Sequence, residues 1–260
     1  MNKPRIATFD IETSPYESYT WGLWQQNIGV EQIKTDRTIL SVAFKPLGKA
    51  VEFRSTGGRG ASLVRDDYAL VKWLSERLDE TDIVVAQNGD RFDVRIVNAR
   101  CIFHRLPPYS PIRTIDTKKV AKKVADFGSN RLEWLDRVVN GGEGKNKHPA
   151  FIGQDLWTAV LADNPKAWVA MKKYNISDVI KTEKLYLNLL PWIQHHPNVS
   201  VYTGKAESCP NCGSTKLEKR GVHYTQASAY QQYKCLNCGK WPRGKTMLSS
   251  LKERKGRLNG

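Results

Sequence analysis

Asp10 and Glu12 lie two positions apart in "FDIETSP", at the end of an apolar run. In a β-strand, positions i and i+2 share a face, so these carboxylates stand side by side and repel. Something positive must offset that cost. Two further stretches add to the same chemistry. "NGDRFD" puts Asn88 in the turn after an apolar strand and Asp93 in the first turn of the helical pattern that follows. "YNISD" puts Tyr174 and Asp178 four residues apart, on one face of a long helix. Four carboxylates and a tyrosine make an oxygen-rich set of the kind that hard divalent cations, Mg2+ or Mn2+, select. Two such ions roughly 4 Å apart would neutralise the set and stabilise both the attacking and the leaving oxygen of phosphodiester cleavage. None of the five histidines has the spacing of a ligand pair, so they stay outside this set.

A second chemistry sits near the C-terminus. Cys209 and Cys212 ("CPNC") and Cys235 and Cys238 ("CLNC") form two CxxC units 22 residues apart. Two knuckles joined by a β-hairpin are the pattern of a zinc ribbon, in which four thiolates close around one structural Zn2+. Cys101, alone in an apolar helical stretch, reads as a small buried hydrophobe. Between the knuckles, Lys and Arg mix with Tyr224, Tyr230 and Tyr233, and Trp241 follows. These rings either stack on bases or form the small core of the ribbon.

The elements that must position these groups can be read from periodicity. "RIATFDIE" is a strand, and "TILSVAFKPLGKAVEFRS" two β-rich runs around a turn, a hairpin. "RDDYALVKWLSERLDE" has Leu70, Trp73, Leu74 and Leu78 at helical spacing. "DIVVAQN" is a short buried strand, "FDVRIVNARCIFHRL" a helix, "IRTIDT" a strand and "NRLEWLDRVV" a helix with Asn130 as its cap. A long helix starts at Pro165, and a glycine-rich loop over 141–148 precedes it. Strands first, then strands alternating with helices, give an α/β sheet covered by helices. The expected organisation is a main domain over 1–198, a ribbon over 199–246 and a basic tail over 247–260.

With 260 residues, 40% hydrophobic and 26% charged, the chain is globular in type. It lacks a run of about 20 apolar residues and an apolar N-terminal stretch, so the expectation is a cytoplasmic protein without a membrane partner. The net charge is +15, and residues 201–260 hold 12 Lys and Arg against 3 Asp and Glu. Such a basic end fits a polyanion, with nucleic acid the first candidate.

The trio "FDIET", "NxxxFD" and "YxxxD", in this order, resembles the DEDD exonucleases of the ribonuclease H-like fold, which include the proofreading domains of DNA polymerases and the DnaQ-like nucleases. The resemblance spans roughly residues 5–190. One branch carries a histidine five residues before the last aspartate, where this chain has Lys173; Tyr174 matches the other branch, DEDDy. The resemblance implies a mixed sheet flanked by helices and two-metal 3′→5′ exonuclease activity. It implies that Asp10, Glu12, Asp93 and Asp178 ligate the two Mg2+ or Mn2+ ions, Asp93 mainly through water, and that the Tyr174 hydroxyl orients the attacking water. It places Thr13, Asn88 and Phe92 against the terminal nucleotide, and Asp116 in a supporting position. Single-stranded DNA is the favoured substrate, RNA a possible one, and a replication or recombination partner is left open. A phage or bacterial source would suit this architecture. Two other classes stand beside this one: a structure-selective endonuclease of the same fold, and a non-catalytic zinc-ribbon binding protein.

Overall fold

The computed structural model describes residues 3–143, 151, 153–250 and 252–253. The loop expected over 141–148 lies outside the described residues from 144 on, and so does most of the expected basic tail. In chain order the elements are β1 (Ile6–Thr13), a short ribbon of β2 (Glu17–Ser18) and β3 (Ile33–Thr35), β4 (Ile39–Pro46), β5 (Glu52–Ser55), α1 (Tyr68–Asp79), β6 (Ile83–Ala86), α2 (Asp93–Phe103), β7 (Arg113–Asp116), α3 (Thr117–Val124), α4 (Leu132–Asn140), α5 (Asp155–Leu161) and the long α6 (Pro165–Leu189). There follow α7 (Val199–Thr203), β8 (Leu217–Tyr224), β9 (Ala229–Cys235) and β10 (Arg243–Met247). Among the described residues no helix is long and apolar enough to cross a membrane.

The chain divides into two compact units, Arg5–Leu185 and, with Met1–Pro4, Tyr186–Gly260. The first is built on a five-stranded sheet of order β5-β4-β1-β6-β7. β4 and β5 form the hairpin expected around "PLGK". β1 is antiparallel to β4 and parallel to β6, and β6 is parallel to β7, so the sheet is mixed. Alternation along the strands gives each face its own core. Ala7, Phe9 and Ile11 pack with Val42, Phe44, Trp73 and Leu74 on the side of α1 and α2. Leu40, the residue passed over where the register between β1 and β4 shifts, leaves the face of Val42 and Phe44 and packs with Val64, Leu156, Val160, Ala167 and Met171 on the side of α5 and α6. A buried ionic knot braces the first face. The fully buried Asp67 accepts from Arg100 at 2.8 and 2.7 Å and from the Ile39 amide at 2.9 Å, and pairs with His104 at 2.6 Å.

Three local features depart from expectation. α4 is capped at Arg131, without a side-chain bond, and Asn130 is not the cap; its carbonyl accepts from Gln87 instead. α3 is a helix where the sequence shows only a run of lysines. Asp116 makes it one, accepting from the Lys118 and Lys119 amides at the helix start. α5, seven residues long, buries Leu156 and Val160 and is too short for helical periodicity to reveal it.

The second unit holds a three-stranded sheet of order β10-β9-β8. Within this unit the segment that follows α6 is tied down specifically. The buried Asn211 side chain donates to the Leu190 and Ile193 carbonyls at 2.7 and 3.0 Å, and Lys240 donates to Ile193 at 2.8 Å. His196 is buried as well, between the Tyr186 hydroxyl at 2.8 Å and the Pro197 carbonyl at 2.7 Å.

Candidate active site

The end of β1 carries the first two carboxylates. Phe9 and Ile11 go to the core, so Asp10 and Glu12 must face the other way, toward α6. A register shift between Glu12 and Thr13 ends regular pairing with β4 at this point, as bulges beside functional groups often do. Thr13, partly exposed, closes the strand.

Asp93 reaches the same place from α2. It is the first residue of that helix and 2% exposed, and its Oδ1 accepts the Ile11 amide at 3.1 Å. The turn before it is tight. Asn88 takes a left-handed conformation, φ 64°, and a Cβ on Gly89 would meet the Ala86 Cβ at 2.4 Å, so only glycine lets the chain turn here. The Asn88 amide donates to Asp116 at 3.0 Å, and its side-chain oxygen accepts from Lys118 at 3.2 Å. Phe92 caps α2 and lies partly buried against the first core.

α6 supplies the rest. The Tyr174 hydroxyl donates to the Asp178 carboxylate one turn on, and the Tyr174 ring meets Trp157 edge-on with centroids 6.5 Å apart. Between them lies a residue that sequence reasoning missed. Asn175 is fully buried; its amide nitrogen donates to Asp10 Oδ2 at 2.6 Å and to the Asp10 carbonyl at 3.2 Å, while Ser41 donates to its oxygen at 3.1 Å. It thus pins α6 to β1 and β4 and fixes the Asp10 carboxylate. The signal was present: Asn175 sits midway between the buried Met171 and Val179, on the apolar stripe of the helix.

The electrostatics are those of crowded anions. Loss of solvent raises Asp10 well above the usual carboxylate range, helped by the charges of Asp93, Glu12 and Asp178 and opposed by the Asn175 hydrogen bond. Glu12 is pushed up to about 8 by burial, then by Asp178 and Asp93. Asp93 rises to about 7, mainly through burial, against the Ile11 amide; Asp116 adds repulsion. Asp178 rises to about 6, again through burial, with Lys181 opposing and Glu133 and Asp136 of α4 adding to the rise. Burial and these neighbouring carboxylates also push the Tyr174 hydroxyl up, so it stays a proton donor. Asp116 contributes a buried oxygen, Oδ2, without a hydrogen-bond partner. The structure therefore brings Asp10, Glu12, Asp93, Tyr174 and Asp178 together, with Asn88 and Phe92 within one turn of Asp93. The all-oxygen donors and their unrelieved repulsion fit divalent cations. The carboxylates have not closed around a point, however. Among the described residues, the one group of three or more His, Cys, Asp or Glu whose ligand atoms all lie within 4.8 Å is Cys209, Cys212, Cys235 and Cys238.

On either side of Asp178, α6 borders a groove of about 640 Å3 lined by Lys172, Lys173, Lys181 and Lys184 with Ile176, Ile180 and the carboxylate Asp136 of α4. In the second unit, Cys209 and Cys238, and Cys212 and Cys235, have sulfurs 3.6 Å apart. Tetrahedral Zn–S bonds of about 2.3 Å put sulfurs about 3.8 Å apart, while a disulfide needs about 2.05 Å. Amides of Asn211 and Cys212 donate to the Cys209 sulfur, and those of Asn237 and Cys238 to the Cys235 sulfur, an arrangement that stabilises thiolate charge. Tyr224 is 75% and Trp241 53% exposed, and Lys234 lies 6.0 Å from the Trp241 ring, so neither ring is core.

Residues 7–190 match the RNase H superfamily, and the chain belongs to it. No curated protein sequence matches the chain. Among solved structures it is similar to the family B DNA polymerase from the hyperthermophilic archaeon Pyrobaculum calidifontis, with a TM-score of 0.54 and 16% identity over 74% of this chain and 25% of that one. The chain spans about a quarter of the length of that polymerase, and at this identity the likeness is one of fold.

Proposed function

We propose that the protein is a 3′→5′ exonuclease of the DEDDy type, acting on single-stranded DNA, with a zinc ribbon that helps to hold the strand. The observation that carries the reading is the convergence of Asp10, Glu12, Asp93 and Asp178 beside a Tyr174 hydroxyl bonded to Asp178. The RNase H-like fold supports a nuclease, and likeness to a DNA polymerase favours DNA. Bound among the carboxylates, Mg2+ or Mn2+ would offset their repulsion, lower the pKa of a water and stabilise the leaving oxygen. A hard cation keeps several waters and takes substrate oxygens, so each needs only one or two of these carboxylates. That fits donors that have not closed.

The remaining roles belong to the chain. Asn175 and the Ile11 amide hold Asp10 and Asp93 in fixed orientations. Tyr174, kept protonated, orients the attacking water toward the terminal phosphodiester. Thr13, Asn88 and Phe92 would hold the terminal nucleotide, and the lysine groove would take the strand's phosphates. Four thiolates at tetrahedral spacing would hold one structural Zn2+.

The test uses 3′-labelled and 5′-labelled single strands of DNA and RNA, with Mg2+ or Mn2+, for the native protein and Asp10→Ala. Immediate, metal-dependent release of a labelled 3′ mononucleotide, lost in the variant, is the expected result. Internal fragments would replace the reading with an endonuclease, and binding without cleavage with a zinc-ribbon binding protein.

A further inference from the structure

Between β2 and β3 the chain presents a set of apolar side chains to water. Trp21 is fully exposed, Leu23 and Trp24 are 89% and 84% exposed, and Tyr19 is 69% exposed. Exposed apolar groups clustered this way mark an interaction site, since each forgoes roughly 1.5–3 kcal/mol of burial. The segment has a built neck. Arg65 donates to the Ser14 hydroxyl at 2.8 Å, the Asp36 carbonyl at 3.1 Å and Glu17 at 2.7 Å. The Tyr19 amide donates to the Gln32 carbonyl at 2.9 Å, and the Gln32 side chain returns a bond to the Tyr19 carbonyl at 3.0 Å. The tip is thus held out from the sheet.

We infer that the Trp21–Trp24 tip is a stacking platform for unpaired bases of the strand upstream of the terminal nucleotide. Three observations favour this occupant over a protein. The tip is continuous with the site: Ser14 and Pro15 follow Thr13, the last residue of the strand that carries Asp10 and Glu12. One guanidinium joins the two. Arg37 lies 4.7 Å from the Tyr16 ring at the foot of the tip and 5.7 Å from the Phe92 ring beside Asp93, and its buried Nε has no hydrogen-bond partner. The composition is also right. Residues 18–30 carry no charge to repel phosphates, and the polar Thr20, Gln25, Gln26 and Asn27 stand beside the rings, together with the exposed Leu23, Ile28 and Val30. Lys34 adds a cation 6.0 Å from the Tyr19 ring. Aromatic faces beside cations suit single strands, because every base has a π-face.

The inference rests on the exonuclease reading only for which bases are held; binding itself is tested apart from hydrolysis. A labelled oligothymidylate of roughly 20 nucleotides, longer than the roughly 4–16 of one small binding fold, is titrated without Mg2+ or Mn2+. Trp21→Ala/Trp24→Ala should bind roughly ten- to a hundred-fold more weakly. Trp21→Phe/Trp24→Phe, which keeps the rings, should stay close to the native protein. A strand of abasic residues should bind the native protein and the alanine variant alike. In parallel, with Mn2+, the alanine variant should cleave the thymidine 5′-monophosphate nitrophenyl ester at the native rate, because that substrate has no upstream base. If the alanine variant binds oligothymidylate as the native protein does, the inference is overturned and the tip becomes a protein-docking surface. If the native protein with Mn2+ cleaves neither the ester nor the oligothymidylate, the exonuclease reading fails while the metal-free binding titration still decides the role of the tip.

Discussion

The two metal-competent regions of this molecule differ in how far their donors have closed. Four cysteine sulfurs already stand at the spacing a tetrahedral ion would impose, each knuckle supplied with backbone amides. The carboxylates of the main domain face one another from β1, α2 and α6 but stop short of that spacing, and burial and repulsion raise them together. A structural site contains all its ligands, so the fold can complete it alone. On the proposed reading, a site for hydrolysis must leave coordination positions for water and phosphate, so its protein donors need not close around one point. Their burial and mutual repulsion cost stability, as expected where function is kept over stability.

Losing an ion should separate the two regions most sharply. Zinc binding in small cysteine modules is itself folding free energy, about 10–16 kcal/mol in isolated fingers. Cys209→Ser, or a strong chelator, should release one zinc per chain and abolish amide protection across β8 and β9, while β1 and β6 keep theirs. Metal analysis with hydrogen exchange reads both. Protection of β8 and β9 that survives zinc loss would show that the second unit is held by packing alone.

The converse holds at the carboxylates. Asp10→Asn should lower hydrolysis at least about a thousand-fold, the scale of losing electrostatic stabilisation of a transition state. The same change should raise the thermal midpoint of the protein free of Mg2+ and Mn2+, because it removes one of several crowded charges. A midpoint that falls would show that the cluster is not strained as described. Asn175→Ala should act in the opposite sense on stability, since it strips the buried Asp10 and Ser41 of their partner. A cost of about 1–3 kcal/mol is expected, with hydrolysis reduced roughly ten- to a hundred-fold through a misplaced Asp10. Unchanged kinetics in Asn175→Ala would confine that residue to packing.

How much of this was legible in the sequence follows the same divide. The CxxC pairs announce their geometry because both ligands of a knuckle are local. Asp10 with Glu12, and Tyr174 with Asp178, were equally readable, since strand and helix periodicity place each pair on one face. What joins the pairs was not. Asn175 reads as an ordinary polar helix residue until Asp10 and Ser41, distant in sequence, are seen to meet it. Glu133 acts on Asp178 and Tyr174 only through the tertiary placement of α4. The α3 helix depends on one side chain, Asp116, that also holds the Asn88 turn. Its apolar pattern alone is too short to be read. The hold of Asn211 and Lys240 on residues 190–193 likewise joins positions that no local pattern links.

The smallest effect is the most diagnostic, because pH should move the two regions in opposite directions. Glu12, Asp93 and Asp178 have folded values near 8, 7 and 6, above their ordinary 4.5, 3.8 and 3.8. Between those limits the folded state binds more protons than the unfolded one, so stability falls as pH rises. Without Mg2+ or Mn2+, the main domain should therefore loosen from about pH 5 to pH 8. Exchange at β1 and the middle of α6, corrected for intrinsic rate, should accelerate steadily across that window. Added Mg2+ should cancel this most at pH 8, where the carboxylates it needs are already ionised. His196 runs the other way. Its burial lowers it below the ordinary 6.5, so it contributes stability above that value and loses it as pH falls, when the unfolded state takes up the proton. With zinc bound, exchange around residues 190–199 should thus accelerate below about pH 6.5 while β1 and the middle of α6 tighten. If both regions loosened together on raising the pH, His196 would not be held neutral by burial. If neither responded to Mg2+, the carboxylate cluster would have lost its claim to a divalent ion.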